Sequence, residues 1–195
     1  PGVNGAPAFS PDGRRLALTL SSASGNLDVY VLEIESGALT RLTTHPAIDT
    51  EPAWGPAGDT LYFTSDRGGG PQVYRMSATA AGPAVRVSFS GGYNARPRLS
   101  PDGSRLAVVT RDDRGYRIAV QDLASGAVTA LSRGGEDESP AFSPDGGTLI
   151  FSSRERGRSV LSTVSVDGLI LQRLVSGRDE VREPAWGPFM RESKP

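Results

Sequence analysis

The chain has 195 residues, and its 24 glycines and 15 prolines make it too rich in turns for a helical bundle. The net charge is −1 and the basic residues are spread along the chain, which argues against a nucleic acid or an acidic membrane as partner. There is no cysteine and Lys194 is the only lysine, which excludes disulfides, thiol chemistry and Schiff bases in the folded part.

The first predicted turn is Ser-Pro-Asp-Gly at residues 10–13. Proline presets φ at the second turn position, Asp tolerates the third, and Gly adopts the left-handed conformation. An apolar segment precedes the turn at residues 7–9, and three more follow at residues 16–20, 27–33 and 39–43, separated by polar breaks. This pattern predicts four short strands.

The same unit returns along the chain. Its anchor prolines are spaced by 45, 45, 43 and 44 residues, at Pro7, Pro52, Pro97, Pro140 and Pro184. This spacing is typical of the four-stranded blades of a β-propeller. We therefore predict an all-β fold with four complete antiparallel blades and the closing inner strand of a six-bladed ring. The predicted blades are residues 7–45, 52–89, 97–132 and 140–175, the closing strand is residues 184–189, and residues 190–195 form a tail.

Apolar patterning supports stacked blades. The second strand of each unit is a nearly continuous apolar run, which indicates that both faces are covered, whereas the fourth strand alternates and should have one wet face. The fifth unit stops after one strand, so we hypothesise that the chain is the C-terminal part of a larger ring closed by upstream strands. The alternative is a compact four-bladed ring.

Several stretches resemble the C-terminal propeller of the TolB family. They are residues 4–13, 50–54, 63–66 with 71–74, 121–126 and 184–188. Tricorn-type proteases and prolyl oligopeptidase propellers share the Ser-Pro-Asp-Gly repeat, but the ordered combination is more specific to the TolB family.

The resemblance implies a six-bladed propeller preceded by a small α/β domain in the periplasm of Gram-negative bacteria. It also implies a role in the Tol-Pal system, which maintains outer-membrane integrity during cell division. In that family the propeller binds the peptidoglycan-associated lipoprotein, Pal, and the N-terminal region, which would lie upstream of this chain, meets TolA.

The residues just before each anchor proline should line one opening of the central channel, which we call the mouth. The mouth comprises residues 4–6, 49–51, 94–96, 137–139 and 181–183. Its carboxylates, guanidinium groups and amides suit a protein partner, although such residues can also be local caps or neutralise one another. The candidate partner-binding residues are Asn4, Gly5, Ala6, Thr50, Glu51, Arg96, Glu138, Ser139, Arg182 and Glu183. The resemblance assigns Asn4, Ala6 and Thr50 to the family's Pal-binding segment, whereas Val3 stands where family members can carry a histidine.

The sequence favours a binding module over an enzyme. His45 is the only histidine and no Gly-x-Ser-x-Gly motif exists, so a serine triad or an imidazole metal centre lacks its parts. We expect no catalytic residue, metal site or cofactor. General acid-base catalysis by Glu51 and Glu138 across the channel is an alternative that the sequence leaves open. The alternative function is a substrate-gating propeller of a prolyl-oligopeptidase-type or tricorn-type serine peptidase, which would continue past Met190 into a hydrolase domain.

Three other features have plain structural interpretations. We predict that Trp54 and Trp186 belong to the blade cores because they occupy the same inner-strand position of the repeat. The acidic residues at 112–113 and 136–138 lack the ligand spacing of a calcium loop and should be solvated turns. The glycines at 68–70 should form a hairpin turn.

Overall fold

A computed structural model describes residues 4–21, 25–133, 135–155, 157–174 and 181–187. These residues form four separate four-stranded antiparallel sheets, each with its strands in chain order. The predicted all-β fold of four-stranded blades is therefore confirmed. In these ranges no helix has the length and apolar character needed to cross a membrane.

The strands follow the predicted order in every blade. Blade 1 contains β1 (Asn4–Phe9), β2 (Arg15–Ser21), β3 (Leu27–Glu33) and β4 (Leu39–Arg41). Blade 2 contains β5 (Asp49–Trp54), β6 (Thr60–Ser65), β7 (Gln72–Ser77) and β8 (Val85–Arg86). Blade 3 contains β9 (Asn94–Leu99), β10 (Arg105–Asp112), β11 (Gly115–Asp122) and β12 (Val128–Ala130). Blade 4 contains β13 (Glu138–Phe142), β14 (Thr148–Glu155), β15 (Arg158–Ser165) and β16 (Leu171–Arg173).

Apolar side chains join neighbouring blades face to face. On β6, Leu61 and Phe63 pack in a cluster with blade 1, whereas Tyr62 belongs to a cluster with blade 3. A third cluster joins Val109 of blade 3 to Phe151 of blade 4. Both faces of a central blade are thus covered, as the apolar runs predict. The outermost strands β4, β12 and β16 are exposed at every residue, rather than half-buried as predicted, because no further layer covers them.

The two ends of this stack do not cover each other. Phe9, on the free face of blade 1, is 67% exposed, and Trp186 is 41% exposed, whereas Trp54 between blades 1 and 2 is only 8% exposed. The described residues therefore form an open arc and not a compact four-bladed ring. The core prediction is right for Trp54 and wrong for Trp186, since no described strand packs over the outer face of Trp186.

The segment at residues 181–187 occupies an inner position beside blade 4. Trp186 Nε1 donates to the Ala141 carbonyl oxygen at 3.1 Å, just as Trp54 Nε1 donates to the Ala8 carbonyl oxygen at 2.8 Å. Residues 184–187 have no strand assignment, because an inner strand needs a second strand to complete its ladder. Residues 188–189 of the predicted closing strand lie outside the described residues.

The opposite end of the arc, which we call the turn face, carries the turns at residues 10–13, 55–58, 100–103 and 143–146. In the first turn the Gly13 amide donates to the Ser10 carbonyl oxygen at 2.9 Å, and Ser10 Oγ donates to Asp12 Oδ1 at 2.5 Å. Successive turns also touch: a Cβ on Gly103 would lie 2.9 Å from Pro56 Cγ. The proline of one turn thus packs on the glycine of the next.

Candidate functional site

The mouth begins with a backbone irregularity that recurs in every blade. Proline cannot donate a ladder hydrogen bond, and in each innermost strand the register shifts at the anchor proline, which marks a β-bulge. The residue before each proline has a positive φ, of 49° at Ala6, 55° at Glu51, 54° at Arg96, 55° at Ser139 and 50° at Glu183. Non-glycine residues rarely adopt this conformation, which costs about 1–2 kcal/mol each.

The left-handed residues are held by contacts between blades. The Glu51 amide donates to Thr19 Oγ1 of blade 1 at 3.2 Å, and the Arg96 amide donates to Thr64 Oγ1 of blade 2 at 3.0 Å. Val109 has the corresponding place in blade 3 and has no hydroxyl to offer. Blade 4 is tied in through the side chain of Arg96 instead.

Arg96 is the centre of a charged cluster that spans three blades. Its Nε lies 3.0 Å from Glu51 Oε1, and its Nη1 lies 3.2 Å from Glu138 Oε2 and donates to Ser139 Oγ at 2.6 Å. Glu51 Oε2 also accepts hydrogen bonds from Thr64 Oγ1 and the Arg96 amide. The side chains of Arg96, Glu51 and Glu138 remain 32%, 24% and 50% exposed, so the cluster is accessible from solvent.

The structure thus brings together four predicted site residues and spreads the others around the mouth. Thr50 is half-buried with its hydroxyl 3.3 Å from that of Thr19, Gly5 is half-buried, and Ala6 is exposed. Asn4 begins β1 opposite Leu20. Arg182 and Glu183 are exposed on the segment beside blade 4, where Arg182 and Glu138 line a cavity of about 50 Å³. Val3 lies outside the described residues.

The mouth prediction is wrong for the first residue of three segments. Asp49, Asn94 and Asp137 are buried and serve the blades rather than the opening. Arg67 binds both carboxylate oxygens of Asp49 at 2.9 and 2.8 Å, Asn94 Nδ2 donates to Gln72 Oε1, and Asp137 accepts from Ser153. The bulge accounts for this, because it interrupts the alternation of faces between these residues and the anchor proline.

A second buried ion pair between a carboxylate and an arginine lies behind the mouth. Asp28 on β3 is fully buried and pairs with Arg41 at 2.7 Å. Burial raises the pKa of Asp28, and the Arg41 guanidinium opposes this effect. Neither buried pair was predicted from the sequence, since Asp28, Asp49, Arg41 and Arg67 have no motif in common.

The groups considered for catalysis are engaged elsewhere. His45 is exposed in the loop between β4 and β5, and its Nδ1 accepts a hydrogen bond from the Ala47 amide at 3.1 Å. Arg96 holds both Glu51 and Glu138 in ion pairs. Within the described ranges, no group of three or more His, Cys, Asp or Glu residues is placed to hold a metal ion.

A sequence profile described as the TolB beta propeller domain matches residues 1–190. The chain belongs to the TolB β-propeller family. The Tol-Pal system protein TolB of Francisella tularensis subsp. mediasiatica is 34% identical over 195 residues, which cover 96% of this chain and 45% of the relative. Its counterpart in Xanthomonas campestris pv. campestris is 52% identical over 114 residues, covering 57% of this chain and 26% of the relative. The chain spans less than half the length of these TolB proteins.

Solved structures agree with this assignment. The crystal structure of TolB from Acinetobacter baumannii superposes with a TM-score of 0.87 at 43% identity, covering 94% of this chain and 46% of that one. A puromycin hydrolase superposes with a TM-score of 0.68 at 18% identity, covering 88% of this chain and 28% of that one. The second likeness is one of fold alone.

Proposed function

We propose that this chain is part of a non-enzymatic interaction module of the Tol-Pal system in the periplasm, and that its mouth binds the Pal lipoprotein. The intact protein would thereby support outer-membrane integrity and cell division, and would meet TolA through an N-terminal part beyond this chain. The named relatives are Tol-Pal proteins, which supports this setting.

The observation that carries the proposal is the repeated left-handed residue at the mouth. A glycine would adopt this backbone without strain, yet all five repeats keep a side chain there. Strained residues of this kind are concentrated at functional sites. Three of them, Glu51, Arg96 and Ser139, join through one guanidinium into a surface that can exchange charge-assisted hydrogen bonds with a partner.

The peptidase alternative has no comparable support. The likeness to puromycin hydrolase is one of fold, and many unrelated functions share the same fold. Binding of a protein partner therefore remains the proposed function.

The test is the affinity of the natural full-length protein for Pal, measured by isothermal titration calorimetry. Thr50→Arg places a long charged side chain at the mouth and should weaken binding at least about ten-fold. Thr129→Arg makes the same change on the exposed strand β12 and should leave the affinity unchanged. Equal affinities for the two variants would place Pal elsewhere on the protein.

A further inference from the structure

One residue of the innermost strands departs from the repeat. The position after the anchor proline is Ala8, Ala53, Ala141 and Ala185 in four repeats, and Arg98 in the other. A guanidinium on a long stem therefore replaces a methyl group next to the axis of the arc.

The register of blade 3 shows where this side chain lies. Arg98 pairs with Ala107, so both are on the face that packs toward blade 4. Arg98 also lines a cavity of about 390 Å³ together with Ala141, Phe142, Ala185 and Trp186. Three successive inner segments and the turn residues Pro101, Ser143 and Pro144 line this open space, and its walls are mostly apolar.

The guanidinium of Arg98 has no carboxylate partner among the described residues. Its hydrogen bond is from Nη1 to the Pro97 carbonyl oxygen at 2.8 Å, whereas Arg41, Arg67 and Arg96 all contact carboxylates. A guanidinium has five N–H donors and stays charged in proteins. Burial lowers the pKa of Arg98, and the more distant carboxylates of Glu51 and Glu183 oppose this effect. This half-buried charge thus has no direct carboxylate partner among the described residues.

We propose that Arg98 is the anchor of a carboxylate-binding subsite inside the channel. The ligand carries an apolar body, which Phe142 and Trp186 contact, and one carboxylate, which the free donors of Arg98 bind in a bidentate pair. Such a group can be part of a protein segment or a small free molecule. The subsite does not depend on Pal being the partner.

The test uses two probes that differ only in charge, N-acetylphenylalanine and its C-terminal amide. In an NMR titration of the natural full-length protein, the carboxylate should shift the Arg98 Nε–H resonance and bind at least ten-fold more tightly than the amide. Arg98→Ala should reduce carboxylate binding to the level of the amide, and Arg114→Ala, which removes an exposed arginine, should not. Because four repeats have alanine here, Arg98→Ala should fold.

Equal binding of the two probes to the wild-type protein would overturn the proposal, whatever the variants do. Undiminished carboxylate binding by Arg98→Ala would overturn it as well. If Arg98→Ala loses the probe and also binds Pal at least ten-fold more weakly, the natural carboxylate is carried by Pal. If it loses the probe but keeps its Pal affinity, the subsite takes a small carboxylate, and the proposed function is unaffected.

Discussion

The mouth and the turn face both contain a residue with a positive φ in every blade, but they use different residue types. The turn face uses Gly13, Gly58, Gly103 and Gly146, with φ between 69° and 74°, whereas the mouth uses Ala6, Glu51, Arg96, Ser139 and Glu183, with φ between 49° and 55°. Glycine accepts this conformation freely and any other residue is strained in it.

This difference separates an end that packs through its glycines from the end at which we propose a binding site. At Gly58, Gly103 and Gly146 on the turn face the missing Cβ is useful, because the proline of the preceding turn packs there. At the mouth the strain is retained together with side chains that differ from blade to blade. A repeat that keeps its backbone but varies its side chains builds a uniform ring with a specific surface.

The largest effect should come from the support beneath the mouth. Arg67→Ala leaves the Asp49 carboxylate buried without its counter-ion, which should lower the free energy of unfolding by about 3–5 kcal/mol. The control Arg173→Ala removes a half-exposed ion pair with Glu155 and should cost at most about 1 kcal/mol. Urea denaturation of both variants measures the difference, and similar losses would contradict a supporting role for Asp49.

The sequence predicted the fold well because its determinants are local. Turn chemistry at residues 10–13 and the apolar run at residues 61–64 each specify their own element, and the spacing of the anchor prolines repeats them. Trp54 and Trp186 have the same place in the repeat but different exposure, since burial depends on a neighbouring sheet. Local patterns cannot supply that neighbour.

The mouth was predicted only in part, for a physical reason. Asp49 and Glu51 look equivalent in the sequence, yet the bulge buries the first and exposes the second to the opening. A bulge depends on ladder register, which single-strand patterns do not show. Arg98 was visible as a break in the repeat, but its meaning requires the cavity beside it.

Two glycines of the turn face allow the contact between successive turns to be tested. Gly103→Ala puts a Cβ at positive φ and 2.9 Å from Pro56 Cγ, whereas Gly13→Ala has the same φ problem with open space around it. We expect Gly13→Ala to lower stability by about 1–2 kcal/mol and Gly103→Ala by a further 1–3 kcal/mol or so. Thermal unfolding of the two variants isolates the contact between turns. If they melt together, the packing of proline on glycine contributes nothing.

Because the left-handed residues at the mouth are strained, replacing one of them with glycine should not destabilise the protein. Ala6→Gly should relieve about 1–2 kcal/mol of left-handed strain, which offsets the roughly 0.5–1 kcal/mol of entropy that glycine loses on folding. The variant should therefore be as stable as the wild type or more so. Ala130→Gly, on the exposed strand β12, should be destabilised by about 0.5–1 kcal/mol. Equal destabilisation of the two in urea would refute strain at the mouth.

The smallest expected effect is a pH dependence of the free energy of unfolding, caused by Asp102 on the turn face. Hydrogen bonds from Ser100, from the Ser104 amide and from the Ser104 hydroxyl lower the pKa of Asp102 from 3.8 to about 2. Since the folded state holds the ionised form, this stabilisation is complete above about pH 4 and disappears as the pH falls toward 2. Asp102→Asn should reduce the slope of the free energy of unfolding against pH in that interval. Ser104→Ala, which removes one of the donors, should reduce this slope less. A slope that is the same in all three proteins between pH 4 and pH 2 would mean that the turn does not hold the carboxylate ionised.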